Sequence, residues 1–186
     1  MKYLIFQFLI LTTVPQMTLF DFNSESNLIN WRILDDVVMG GRSDGNFQLN
    51  EDGHGLFSGN VSLKNNGGFS SVRYNFDTLN SSKYKSFQLR IKGDGKPFQF
   101  RVKSNYRQRY SYIYTFETTG EWETITIPFN KMEPSFRGYK LNQDNFDGEQ
   151  MEEIAFLIGN KKEQHHQGAM EKSGEHITSR GKSSKR

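Results

Sequence analysis

The sequence predicts an all-β fold, a β-sandwich of jelly-roll type. Composition is the first reason: 186 residues hold 16 Phe, 8 Tyr and 17 Gly but only 4 Pro. Aromatic residues suit pleated, half-buried surfaces, and glycines suit tight turns. Periodicity is the second, because from Leu19 onward short apolar segments of period two alternate with turn signals. The third is the lack of any long amphipathic helical pattern. The length fits one domain with a sizeable core.

The elements follow in order. "TLFDF" is the first strand candidate, and Trp31 in "SESNLINWRILDD" reads as a buried anchor. "NFQLN" and "GLFSGNVSL" read as a hairpin turned at "EDGHG". "GGFSSVRYNF" offers Phe69, Val72, Tyr74 and Phe76 for packing. Phe87, Leu89 and Ile91 share one strand face, as do Phe98, Phe100 and Val102. "YSYIYTFET" follows, and then "EWETITIPF", with Trp122, Thr124 and Thr126 opposite Ile125 and Ile127. "MEEIAFLIG" closes the sheet, although "GEQMEE" also suits the start of a helical turn.

Both ends stand apart. Residues 1–17 form a signal-like apolar segment, "YLIFQFLILTTV" behind Lys2, too short for a stable membrane span. It implies export or a periplasmic location if it is a leader, and a cytoplasmic location otherwise. A mitochondrial presequence fits poorly, because no Arg precedes Arg32. Residues 161–186 read as a basic, disordered tail with seven basic and three acidic residues. The overall charge is +3, so residues 1–160 carry a net −1 and nucleic acid is not an expected partner. The tail loses all alternation at His165, which implies a sandwich missing its closing C-terminal strand through truncation or a frameshift. Between the ends, residues 18–160 make the sandwich.

Three blocks carry a family resemblance. They are "WRILDDVVMGGRSDG" (31–45), "GLFSGNVSLKNNGGFSSVR" (55–73) and "EWETITIPFNKMEPSFRG" (121–138). In this order they resemble the complex I intermediate-associated protein 30 family. The resemblance implies a galactose-binding-like jelly roll. It also implies a chaperone-like assembly role for respiratory complex I, with assembly intermediates as protein partners. Trp31, Gly40, Gly41, Gly67, Gly68, Phe69 and Trp122 fall in these blocks as structural residues.

"MGGRSDG" lacks the spacing of a phosphate loop. Asp35, Asp36 and Asp44 lack the spacing of a calcium loop. A turn is the better reading, with Asp side chains on backbone amides, Arg42 on a carboxylate, and Gly41 at positive φ. "NNGGFSS" reads the same way. Asn65, Asn66 and Arg73 also suit sugar hydroxyls or a partner's backbone, so the two Gly-Gly turns, gathered at one end, would make a binding surface. Tyr110, Tyr112 and Tyr114 share a strand face beside Arg107 and Arg109. They form either an aromatic platform for carbohydrate or a face that meets a cross-strand partner while Ile113 points into the core. Cys is absent, which excludes thiolate chemistry. No nucleophilic triad or cofactor motif is visible, so a non-catalytic binding domain without cofactor or metal is expected.

Overall fold

The computed structural model of the chain describes residues 16–159, 162–170 and 175–178. Residues 1–15, most of the signal-like segment, lie outside them. Its last two residues, Gln16 and Met17, open the first strand.

Two antiparallel sheets pack face to face. The first contains β1 (Gln16–Phe20), β3 (Asp44–Leu49), β4 (Gly55–Val61), β6 (Ser86–Lys92), β9 (Glu123–Pro128), β13 (Gln164–Met170) and β14 (Glu175–Thr178). The second contains β2 (Trp31–Asp35), β5 (Ser70–Asn80), β7 (Phe98–Lys103), β8 (Ser111–Phe116), β10 (Glu133–Phe136), β11 (Tyr139–Lys140) and β12 (Gln150–Ile158), in the order β11-β10-β8-β7-β12-β5-β2. Short 3-10 turns at Asp36–Met39, Lys64–Asn66 and Phe129–Lys131 link them. The expected β3–β4 hairpin is present. The "GEQMEE" segment makes no helical turn, because Gln150 already begins β12.

Period two decides what lies between the sheets. Phe87, Leu89 and Ile91 of β6 face Phe98, Phe100 and Val102 of β7, and all six are buried. Phe87 meets Phe100 at 4.9 Å between ring centroids, and Phe100 meets Phe156 at 5.4 Å. Each such buried ring contributes roughly 1.5–3 kcal/mol of hydrophobic stabilisation. Trp31 is buried as expected, stacked on Tyr74 at 4.8 Å. Trp122 is half-exposed, edge-on to His54 and beneath Arg90.

The segment after Gln164 corrects the sequence reading. The expected tail carries two strands, and the closing strand is present. β13 pairs with β4 on one side and, by Ala169 and Met170, with β6 on the other. β14 continues along β6 and pairs with β1. Their sequence disguises them, since the inward positions of β13 are His166, Gly168 and Met170. His166 is fully buried with its ring 4.6 Å from Phe57, and neither ring nitrogen has a hydrogen-bond partner among the described residues. Burial lowers its pKa to about 4, although Asp94 opposes the shift. Gly168 leaves room for Phe98, whose ring carbon lies 3.4 Å from where a Cβ would stand. One large apolar residue in three hides the alternation, while backbone pairing holds the strand.

Candidate functional site

One carboxylate ties the two glycine turns together. Asp36 is fully buried at the start of its 3-10 turn. It accepts hydrogen bonds from the Ser43 amide (2.9 Å), the Ser43 hydroxyl (2.5 Å), and the amides of Gly68 (2.5 Å) and Phe69 (3.2 Å). Burial works to raise its pKa, yet the Ser43 hydroxyl and these amides outweigh burial and hold it below the usual carboxylate value. Asp35 takes the Gly45 amide at 2.7 Å, and Asp44 takes the backbone and side-chain nitrogens of Asn60. The three acids therefore serve separate backbone sites. Asn65 donates to the Gly40 carbonyl at 3.1 Å, and both Asn65 and Asn66 adopt positive φ. Gly40 is left-handed at φ +90°. Gly41 is not, which corrects the expectation. A Cβ at Gly41 would lie 2.2 Å from Asp36 Oδ1, so glycine is needed there for space.

Next to this knot, a cleft of about 550 Å³ lies on the outer face of the second sheet. Val38, Met39, Asn66, Gly67 and Gly68 line one end, and Arg109, Phe136, Arg137 and Gly138 the other. Its floor follows from strand register. Arg32, Arg73, Ala155, Arg101, Ile113 and Glu133 stand in one row across six neighbouring strands. Their sequence neighbours Val72, Phe100 and Val102 point into the core, so these side chains face out.

The floor is cationic. Glu153, only 4% exposed, receives Arg73 at 3.4 Å, Arg32 at 3.5 Å and Lys103 at 3.8 Å, and accepts from Asn75 at 3.1 Å. Arg101 bonds Gln99 at 2.7 and 3.1 Å and has no carboxylate in ion-pair range among the described residues. Burial first, then the Arg73 charge, lowers its pKa to about 10, with Glu153 opposing. It stays charged at neutral pH, but at a cost. Burial likewise lowers the Lys103 pKa. Glu133, at the end of the row, is engaged by Lys140. The Arg109 and Arg137 guanidinium carbons both lie 5.4 Å from the Phe136 ring centroid.

Several expected site residues converge here and others do not. Asn66, Gly67, Gly68, Phe69 and Arg73 line the cleft. Asp35, Asp36 and Asn65 hold its rim from behind. Arg42 is exposed and is not part of the lining. The tyrosine platform is corrected. Tyr112 and Tyr114 sit opposite Val102 and Phe100 and pack against the core, Tyr112 on Phe146 at 5.2 Å. Tyr110 lies edge-on to Tyr112. Burial, then the hydrogen bond to Tyr110, raises the Tyr112 pKa. On this strand it is Ser111 that lines the cleft. Sequence reasoning missed Arg101, Lys103, Glu153 and Arg137. Their signal was the polar set Gln99, Arg101 and Lys103 alternating with Phe98, Phe100 and Val102. Among the described residues no group of three or more His, Asp or Glu is placed to hold a metal ion. No helix among them is long and apolar enough to cross a membrane.

Residues 20–169 match the sequence model of the family described as Complex I intermediate-associated protein 30. No curated protein matches the chain. Among solved structures, the chain is similar to the family 11 carbohydrate-binding module from Clostridium thermocellum in complex with a β-1,3-1,4-mixed-linked tetrasaccharide. Identity is 18%, coverage 90% of this chain and 98% of that one, and the TM-score 0.66. The family 11 module of the cellulosomal cellulase Lic26A-Cel5E of the same organism gives 17%, 93%, 100% and 0.67. A family 29 carbohydrate-binding module mutant complexed with mannohexaose gives 10%, 90%, 93% and 0.52. At these identities the likeness is one of fold.

Proposed function

The chain belongs to the complex I intermediate-associated protein 30 family, and from that premise we propose that it is a non-catalytic assembly domain whose cleft on the second sheet holds a protein partner. One observation carries the reading. The three sequence blocks of the family resemblance meet at this cleft, through Val38 and Met39, through Asn66 to Phe69 with Arg73, and through Phe136 to Gly138. The chain segments they belong to are far apart in sequence, and burial of a core would not by itself bring their exposed ends together. The family description points to assembly intermediates of respiratory complex I as the partner class.

Affinity capture from native cells tests it, comparing the wild-type chain with Ser111→Trp, which fills the cleft from its wall. Respiratory-complex subunits are expected with the wild type and not with the variant, at an unchanged melting temperature. Equal capture by both would move the partner off this face.

A second reading, carbohydrate recognition in the same cleft, draws on the saccharide-bound neighbours of the fold. Retardation of the chain in a gel containing mixed-linked β-glucan, abolished by Ser111→Trp, would favour it. Tyr112→Ala no longer serves as its test, because Tyr112 packs against the core.

A further inference from the structure

We propose that the cleft takes an acidic segment of its protein partner, with carboxylates on Arg101, Lys103 and Arg109 and an apolar side chain against Val38 and Met39. This rests on the cleft being the partner site, and it adds the chemistry of what enters.

The charge imbalance comes first. Five cations, Arg73, Arg101, Lys103, Arg109 and Arg137, are among the lining residues, and among the described residues no carboxylate joins them in the lining, Glu153 lying beneath it. Glu153 on the floor answers only part of this, because its two oxygens are already shared among Arg73, Arg32, Lys103 and Asn75. Arg101 is left with a neutral amide. A half-buried guanidinium beside other cations is poorly solvated and repelled, so an incoming carboxylate relieves both costs at once. The fork of Arg101 also favours a planar, bidentate anion.

The apolar lip is the second observation. Val37, Val38 and Met39 are 59%, 67% and 55% exposed. They are held out by a turn that Asp36 fixes from beneath. Three adjacent exposed aliphatic side chains beside a cationic floor match a segment that mixes acidic and apolar residues.

The same geometry disfavours an acidic glycan. Sugars stack on open aromatic faces, but Tyr112 and Tyr114 are turned to the core and Phe136 already carries two guanidiniums over its ring. Phe69 is the other aromatic residue of the lining, beside aliphatic Leu34 and Leu157.

Fluorescence anisotropy on the full chain tests this, with a labelled peptide of about ten residues alternating Glu and Leu. The same peptide with Gln for Glu, and polygalacturonate, serve as comparisons. The Glu peptide is expected to bind, to weaken as salt rises, and to lose about tenfold in affinity with Arg101→Gln and again with the rim variant Arg109→Gln. Ser111→Trp should abolish binding. Three results would overturn the acidic-peptide assignment while keeping this cleft as the binding site. The Gln peptide could bind equally well and be blocked by Ser111→Trp. Polygalacturonate could displace the peptide at lower carboxylate concentration. The Glu peptide could fail to bind while partner capture from cells still depends on Ser111. Peptide binding indifferent to Ser111→Trp and Arg101→Gln alike would remove both readings.

Discussion

At the scale of single residues, the tightest constraint is Asp36. Its carboxylate satisfies three backbone amides and a hydroxyl from two separate parts of the chain, Ser43 and the Gly68–Phe69 turn. Asp36→Ala strands buried donors at about 1–3 kcal/mol each, so a loss on the order of 3–5 kcal/mol is expected in urea unfolding. A loss below about 1 kcal/mol would show that solvent replaces the carboxylate. Gly41→Ala is expected to cost about 1–3 kcal/mol, because the atom its Cβ would meet is pinned by those same bonds. A melting temperature equal to wild type would sink that reason. The sequence was legible here in kind and not in cause. Asp and Gly in a short turn announce backbone capping, but which amides are capped depends on a loop more than thirty positions away. The left-handed residue is Gly40, and Gly41 is excluded from having a side chain by close packing.

At the scale of elements, β13 shows how a strand hides. Strands such as β6 and β7 were legible because every inward position is apolar. β13 places a neutral histidine and a glycine inward. Its burial carries a pH signature. The ordinary histidine pKa is 6.5, and His166 in the fold has about 4. As pH falls, the unfolded chain takes up this proton first, so stability is full above about 6.5 and declines towards 4. The window corresponds to about 3 kcal/mol. Urea unfolding of wild type and His166→Leu across this range should diverge, with the variant showing the shallower slope. Parallel profiles would mean that His166 is solvated in the fold. β8 gave the opposite error. Its alternation was read correctly, but alternation does not say which face is inside, and the tyrosine face proved to be the packed one.

At the scale of the whole molecule, the sandwich was legible and the cleft was not. Period two, turn glycines and aromatic content suffice for two stacked sheets. The cationic row exists only once β2, β5, β12, β7 and β8 lie side by side in register, and no local pattern records that order. The sheet order also makes the last strands integral. Ending the chain after Gly159 removes β13 and β14 from between β4, β6 and β1. Cooperative thermal unfolding should disappear from the circular-dichroism trace of that variant, and a retained wild-type transition would show the strands to be dispensable. The position of β13 also imposes a schedule on biosynthesis. β4 and β6 emerge from the ribosome long before the strands that cover them, and each waits with an open hydrogen-bonding edge until β13 and β14 follow. The first sheet therefore closes as one late, long-range event, and the nascent chain depends on protection of those edges until β14 has been made.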